Sequence, residues 1–110
     1  MELFTVIDQP GPLPAKVTFD APVDGPVVFV VTGSAYSTDT NVPIGFSVSL
    51  DGTVIGTASL YSNGNETHRA FPTLFLAIDL AEGNHTCSIQ AANGNTVTDS
   101  NDPFAVQILF

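Results

Sequence analysis

The sequence carries very little positive charge. Among its 110 residues, only Lys16 and Arg69 are permanently basic, whereas eleven residues are acidic, and the formal net charge is −9. Proteins that bind nucleic acid neutralise phosphates with Lys and Arg, and anionic membrane surfaces attract basic segments. The composition therefore argues against a nucleic-acid partner and against attachment to a membrane surface. A neutral polar ligand such as a sugar, or a protein partner, is compatible with it.

Long apolar runs and paired cysteines are also missing. No stretch is long enough for a membrane-spanning helix, and no basic segment followed by an apolar one indicates a signal peptide. We therefore expect neither membrane insertion nor an export leader. Cys87 is the only cysteine, so an intrachain disulfide is excluded. It shares a strand face with Ile89, which predicts a buried and unreactive thiol.

Motifs for catalysis and cofactor binding are absent as well. The sequence has no Gly-X-Ser-X-Gly turn, no phosphate-binding loop, no dinucleotide fingerprint and no Cys/His spacing for a metal. We expect no enzymatic activity, no cofactor and no metal centre. The segment Asp99–Asp102 offers oxygen ligands that calcium accepts. We favour the alternative, in which Asp99 and Asn101 form side-chain turns that prepare the bend at Pro103.

The sequence consists instead of short strands and turns. No segment keeps a helical period, and Gly, Pro, Asn and Asp interrupt the chain roughly every eight to twelve residues, as in all-β sandwiches. Proline lacks the donor of a central strand, so Gln9–Pro14 is predicted to be a bend, and Asp51-Gly52 a hairpin turn. We predict one domain, residues 1–110, with eight strands: Leu3–Ile7, Lys16–Asp20, Val27–Tyr36, Ile44–Leu50, Val54–Tyr61, Arg69–Leu80, His85–Ala91 and Phe104–Phe110.

The strands are of two kinds. Ile44–Leu50, Val54–Leu60 and Thr86–Gln90 alternate between apolar and polar residues, so each buries one face. The other kind is apolar on both faces, and a two-layer sandwich covers only one of them. We therefore expect further copies of the chain to cover the second face, which would include Val28, Val30, Leu74, Leu76 and Leu109.

The order of the two kinds of strand resembles the jelly roll of the tumour necrosis factor (TNF) and complement globular-head superfamily. This TNF-like resemblance implies that the first, third, sixth and eighth strands form one sheet, which packs against neighbours around a threefold axis. Segments similar to complement heads are Val17–Asp20 with Asp24-Gly25, Leu80–Gly83, and Asn101–Phe104.

We therefore predict an all-β, two-layer antiparallel jelly-roll sandwich that assembles with itself, most simply as a homotrimer. The alternative is an immunoglobulin-like sandwich. It is suggested by Leu50–Thr57 and Ala81–Thr86, which resemble turns of bacterial immunoglobulin-like repeats.

Loop parity predicts where a ligand would bind. In an antiparallel sandwich every second connection lies at the same end, so Ser37–Pro43, Ser62–His68 and Ala92–Pro103 share one end, with tight turns at the other. Long polar loops on a rigid scaffold are the usual place for binding. The candidate ligand-binding residues at this end are Tyr36, Asn41, Asn63, Asn65, His68, Arg69, Asp99 and Asn101.

Two of these side chains, together with Tyr61, have alternative roles. Arg69 either binds a ligand through its guanidinium or pairs with an acid that ties the loops together, namely Asp39, Glu66, Asp99 or Asp102. Tyr36 and Tyr61 either stack on a sugar or close the rim of the core. His68 and His85 fall at opposite ends by parity, so a shared site is not expected.

Two functions are compatible with these features. The first is a non-enzymatic binding module, an oligomeric TNF-like lectin or receptor-binding domain that recognises a neutral polar ligand such as a glycan on a surface. The second is a structural or decorating subunit of a virion or another large assembly. The sequence specifies no compartment, and both functions suit an extracellular or virion-associated protein.

Overall fold

Two four-stranded antiparallel sheets pack face to face in the computed structural model, which describes all 110 residues. The strands are β1 (Leu3–Pro10), β2 (Ala15–Asp20), β3 (Gly25–Thr32), β4 (Ser34–Ala35), β5 (Val42–Leu50), β6 (Thr53–Ser62), β7 (Arg69–Ala70), β8 (Leu74–Leu80), β9 (Asn84–Ala91) and β10 (Pro103–Leu109). No helix is long and apolar enough to cross a membrane.

The strand order is that of a jelly roll. Sheet 1 has the order β1-β10-β3-β8, and sheet 2 has the order β2-β9-β5-β6. The first strand pairs with the last, and the first and second strands lie in different sheets. An immunoglobulin domain places its first two strands in the same sheet. The jelly-roll prediction is therefore confirmed, and the immunoglobulin-like alternative is wrong.

The core lies between the two sheets and is built mainly from the inward residues of each strand. It contains 18 buried apolar residues, and aromatic rings fill its centre. The Phe46 ring packs edge-on against Phe71 and Phe104, with ring centroids 5.0 and 5.9 Å apart respectively. Gly33 leaves room for these rings, because a Cβ added there would lie 2.7 Å from Phe104. Edge-to-face pairs of this kind add to the stabilisation by apolar burial.

Two predicted strands are interrupted in the structure. The predicted strand Val27–Tyr36 breaks at Gly33, and Arg69–Leu80 breaks over residues 71–73. The short pieces β4 and β7 leave the main sheets and pair with each other. Pro72 cannot donate to a ladder, and the backbone of Phe71 donates instead to the Gly33 carbonyl at 3.0 Å. These breaks turn the chain toward the long loops.

Two turn predictions have different outcomes. Asp51 and Gly52 form the hairpin turn between β5 and β6, with φ angles of 52° and 84°, as predicted for a two-residue connection. The bend predicted over Gln9–Pro14 is wrong at its start, because β1 continues to Pro10. Strand β1 is an edge strand, and an edge tolerates proline because no second ladder needs its donor.

Sheet 1 has apolar side chains on both faces. Cross-strand registration places Leu3, Leu109, Val28 and Ala77 in one row of the outer face, and Thr5, Gln107, Val30 and Phe75 in the next. Phe75 is 68% exposed and Leu3 55% exposed. We call this the outer face of sheet 1.

The placement of Leu74 and Leu76 on that outer face is wrong. Both side chains pack inward against the core, and Leu76 lies over Gly56 of β6. Their neighbour Phe75 takes the outward position. Side chains alternate along a strand, and a continuously apolar strand does not reveal which set points inward.

Candidate functional site

The long connections meet at one end of the sandwich, as parity predicts. The Glu66 backbone donates to the Ser37 carbonyl at 2.7 Å, and the Asn93 amide donates to the Pro43 carbonyl at 3.2 Å. The bend after β1 joins them, because the Leu13 backbone donates to Thr98 Oγ1 at 2.8 Å. We call this end, formed by residues 36–43, 62–69 and 92–102, the loop end.

A buried carboxylate organises the loop end. Asp102 is fully buried, and its Oδ1 accepts hydrogen bonds from Ser34 Oγ and from His68 Nδ1, both at 2.7 Å. Its Oδ2 accepts from the Asp99 backbone at 2.9 Å. A buried charge is tolerated only when it is paired and fully hydrogen-bonded. Asp102 therefore joins β4, the segment before β7 and the loop before β10.

His68 is the ionisable partner of Asp102. The hydrogen bond to Asp102 raises the pKa of His68 above its ordinary value, and the charge of Asp99 acts in the same direction. The Nε2 atom lies 3.8 Å from an Asp99 oxygen, and the ring centroid lies 4.4 Å from that of Tyr36. Burial and the nearby acids raise the pKa of Tyr36, so its hydroxyl stays protonated at neutral pH.

The side chain of Arg69 has no ion-pair or hydrogen-bond partner within the chain. The three ion pairs of the structure all involve histidines, so the alternative in which Arg69 ties the loops together is wrong. His68, its neighbour, performs that role. The Arg69 side chain is exposed and makes no hydrogen bond within the chain, so its donors face solvent at the loop end.

The remaining predicted residues surround this centre. Asn63, Asn65 and Asn101 are exposed, and their side-chain amides make no hydrogen bond within the chain. The Asn41 carbonyl accepts from the Tyr61 hydroxyl at 2.7 Å, so that hydroxyl is occupied while the Tyr61 ring is 56% exposed. The structure therefore brings the eight predicted residues to one end of the molecule, with Asn41 and Tyr61 on its β5–β6 side.

Of the two side-chain turns favoured from the sequence, the one at Asp99 forms, since Asp99 Oδ1 accepts from the Asn101 backbone at 2.8 Å. The Asn101 side chain makes no hydrogen bond within the chain, so its turn is not formed. His68, Asp99 and Asp102 are also the grouping whose ligand atoms all lie within 4.8 Å of one another. Asp102 already accepts three hydrogen bonds, so His68 and Asp99 would be left as ligands. Zinc and calcium sites require more ligands than this.

A second pair of the same kind closes the opposite end, which we call the turn end. His85 Nδ1 donates to Asp51 Oδ2 at 2.5 Å, and Nε2 donates to the Ala81 carbonyl at 2.7 Å. Both ring nitrogens therefore face acceptor oxygens. The hydrogen bond to Asp51 raises the pKa of His85, and the same bond lowers the pKa of Asp51.

The largest concavity lies away from the loop end, on the outer face of sheet 2. It encloses about 490 Å³ and is lined by Pro14, Lys16, Asp51, Gly52, Thr86, Ser88 and Gln90. The reasoning from sequence did not find it. The signal was present in the alternation of Thr86–Gln90, which places a row of polar side chains on one face of β9.

The fold and its two sheets define a TNF-like jelly roll. No protein-family model matches the sequence, and no curated protein is significantly similar to it. Several solved structures share the fold, and three of them are described below. Dimeric latent PorU from Porphyromonas gingivalis superposes with a TM-score of 0.67 at 11% identity, over 98% of this chain but 12% of PorU.

The other two structures are similar over more of their own length. The tripod (BppUct-A-L) from the baseplate of bacteriophage Tuc2009 gives a TM-score of 0.59 at 18% identity, over 97% of this chain and 62% of that one. Eiger TNF from S. frugiperda gives a TM-score of 0.55 at 12% identity, over 96% of this chain and 85% of that one. The chain thus spans less than two thirds of the first two structures. At these identities the likeness concerns the fold.

Proposed function

We propose that this chain is a non-enzymatic binding module that assembles through the outer face of sheet 1, as a homotrimer, and recognises a neutral polar ligand such as a glycan. The observation that carries the proposal is the apolar outer face of sheet 1. Its exposed members, Phe75 and Leu3, lie on the two edge strands, and the half-buried Val28, Val30 and Leu109 lie on the strands between them. An exposed apolar patch of this kind marks an interaction surface.

The physical argument for self-assembly is the burial of this face. A stable interface removes about 800 Å² per partner from water, and apolar burial contributes about 25 cal/mol per Å² before the cost of association is subtracted. The chain carries a net charge of −9 but only Asp8 and Asp79 are acidic on the strands of sheet 1. The Tuc2009 neighbour is a tripod, which supports three copies.

The loop end supports recognition of a neutral ligand. Arg69 and the amides of Asn63, Asn65 and Asn101 present free hydrogen-bonding groups to solvent. The partly exposed Tyr36 ring, packed on His68, offers an apolar surface beside them. In a trimer the loop ends of neighbouring copies would act together, so that weak binding at each copy is amplified by avidity.

The absence of enzymatic activity is part of the proposal. His68 and Asp102 resemble two members of a catalytic triad, in which a serine hydroxyl donates to the free ring nitrogen. Here Ser34 donates to Asp102 instead, and no hydroxyl is hydrogen-bonded to His68 Nε2. The arrangement anchors loops rather than activating a nucleophile.

A structural subunit of a virion or similar assembly is the second candidate. It is favoured by the likeness to the Tuc2009 baseplate tripod. A purely structural subunit would assemble through sheet 1 in the same way but would bind no glycan, so glycan-array binding distinguishes the two candidates.

The test of assembly compares two substitutions on opposite outer faces. Phe75→Asp places a charge on the proposed interface, and Val54→Asp is the matched control, since Val54 is 55% exposed on β6. Light scattering should report a trimer for the wild type and for Val54→Asp, and a monomer for Phe75→Asp. A wild-type protein that is monomeric at micromolar concentration would refute the assembly.

The test of the loop end uses the assembled protein on an array of neutral glycans. Arg69→Ala should weaken binding by about tenfold or more, the effect of one charge-assisted hydrogen bond. Retained binding in that variant would remove Arg69 from the site.

A further inference from the structure

We propose that the concavity on the outer face of sheet 2 is a separate binding site for a neutral polyhydroxylated ligand, a saccharide in the simplest case. The inference rests on the proposed binding function, but it places contacts on the face of the sandwich rather than at the loop end. The volume of about 490 Å³ falls within the range of small-molecule sites.

Two neighbouring strands build the site through their alternation. On β9 the outward residues are Thr86, Ser88 and Gln90, while Cys87 and Ile89 are buried. On β2, Lys16 stands directly opposite Ser88 in the antiparallel register. The turn of Asp51 and Gly52 forms one end of the concavity. The polar groups are thus held by the sheet itself, which positions them more rigidly than loops do.

The polar atoms in the site are available to a ligand. The side chains of Lys16, Ser88 and Gln90 make no hydrogen bond within the chain, and the Thr86 hydroxyl has one contact, with Thr18 Oγ1 at 3.3 Å. Together they offer an ammonium donor, hydroxyls that donate and accept, and an amide that does both. Asp51 supplies a carboxylate whose position is fixed by His85 and the Thr86 backbone.

The lining side chains indicate which class of ligand the concavity would bind. Apart from Pro14 and Gly52, every lining residue has a polar side chain, so a bound ligand would meet several hydrogen-bonding groups at once. Lys16 is its one basic group, shares the lining with the carboxylate of Asp51, and lies in a chain of net charge −9, which disfavours anions. Saccharide hydroxyls both donate and accept, and therefore match the mixed set of groups.

The location leaves the site open in the proposed oligomer. Assembly through sheet 1 covers the opposite face of the sandwich, so the concavity faces solvent on every copy. Each oligomer would then present several equivalent sites, and a repetitive glycan surface would engage them together.

The experiment titrates the wild-type protein with glucose, galactose, mannose, lactose and maltose, one at a time, and follows backbone amide shifts by NMR. We expect at least one sugar to shift the amides of Lys16, Thr86, Ser88 and Gln90. Lys16→Ala and Ser88→Ala should each weaken that binding by about tenfold. Ser59→Ala is the matched control, because it makes the same change on an exposed residue of the same sheet outside the concavity.

Each other outcome overturns the proposal in a distinguishable way. No shift with any sugar refutes the site. Shifts confined to residues 36–43, 62–69 and 92–102 refute it while supporting the binding function at the loop end. Equal weakening by Ser59→Ala and Ser88→Ala shows that the concavity is not the contact. Light scattering on the same samples tests assembly separately, so a monomeric protein that binds sugar at Lys16 would refute only the oligomer.

Discussion

The two ends of the sandwich are each closed by a histidine–aspartate pair, and the two pairs lie in different surroundings. At the loop end the Asp102 side chain is completely buried, whereas at the turn end the Asp51 side chain is 49% exposed. Asp102 anchors three segments from inside the protein. Asp51 joins the β5–β6 hairpin turn to the start of β9 at the surface. The same two residue types thus serve as an interior anchor and as a surface latch.

The difference in burial decides what each pair contributes. A buried carboxylate that loses part of its hydrogen bonding leaves polar groups without water to replace it, which costs several times more than the same loss at the surface. An exposed pair is screened and contributes little by itself. We therefore expect the loop end to depend on its aspartate much more than the turn end does.

The sharpest test changes Asp to Asn at each end. In Asp102→Asn either the Asp99 backbone loses its acceptor or Ser34 and His68 can no longer both donate, because Oδ1 accepts from Ser34 and His68 and Oδ2 accepts from the Asp99 backbone. We expect the free energy of unfolding to fall by about 2–4 kcal/mol.

The matched variant Asp51→Asn should cost about 1 kcal/mol or less. Asparagine tolerates the φ of 52° at this turn and retains one acceptor oxygen for His85 or the Thr86 backbone. Urea denaturation measures both values, provided that the dependence of the free energy of unfolding on urea concentration is the same in the variants and the wild type. Equal costs would contradict the distinction between anchor and latch.

The second test uses pH. The pKa of both histidines is raised above 6.5 in the folded protein. The folded state therefore binds more protons than the unfolded state above pH 6.5, so the contribution of each pair is complete below that pH and is lost as pH rises through the folded pKa. We expect the free energy of unfolding to decrease over this range.

The two histidines should differ in how much of this decrease they cause. Neutral His85 must leave one ring nitrogen facing an acceptor without a proton, because both nitrogens are bonded. Neutral His68 can keep its proton on Nδ1 and its bond to Asp102. Between about pH 5 and pH 9, the urea midpoint should thus depend less on pH in His85→Gln than in His68→Gln.

Low pH tests the pair at the turn end through Asp51. The pKa of Asp51 is lowered from 3.8, so its contribution is present above that pH and is lost as pH falls through the folded pKa. Asp51→Asn should therefore reduce the loss of stability in acid. An acid profile unchanged by this substitution would show that Asp51 forms no pair in solution.

The sequence predicted the sheets better than it predicted these anchors. Alternation and turn residues identified eight strands, because both follow from short-range rules. The distribution of the strands between two sheets was implied by the resemblance to the TNF-like jelly roll. The sequence did not show that Leu76 points inward and Phe75 outward, since a strand that is apolar throughout does not reveal which side faces the core. That assignment depends on the partner sheet, here on the space above Gly56.

The meeting of the long loops at one end was predicted, but the hydrogen bonds that hold them together were not. Loop parity located the loop end, whereas Asp102 was considered only as an oxygen ligand or as a partner for Arg69. Its burial depends on Ser34 and His68, which are 68 and 34 residues away in the chain. Such long-range contacts have no local signature. The concavity at Lys16 is formed by β2 and β9, which are also far apart in the sequence. The pattern of a single strand could therefore indicate only the polar row on β9.

The last and smallest effect concerns Cys87, which lies in β9 opposite Leu50 and beside the turn end. The thiol is fully buried, as predicted, and burial raises its pKa to about 11. Labelling by a thiol reagent without denaturant should therefore be slow and should require an opening of the structure. Rapid labelling of the wild type would contradict the burial of this residue.

Cys87 can therefore report whether the two ends open independently. If the turn end opens by itself, Asp51→Asn should raise the labelling rate about fivefold for 1 kcal/mol of local destabilisation. Asp102→Asn, at the other end, should then raise the rate by less than its larger global cost implies. If instead both variants change the rate in proportion to their free energies of unfolding, the thiol is exposed only by global unfolding, and the sandwich opens as one cooperative unit. The latch at Asp51 would then have no local stability of its own.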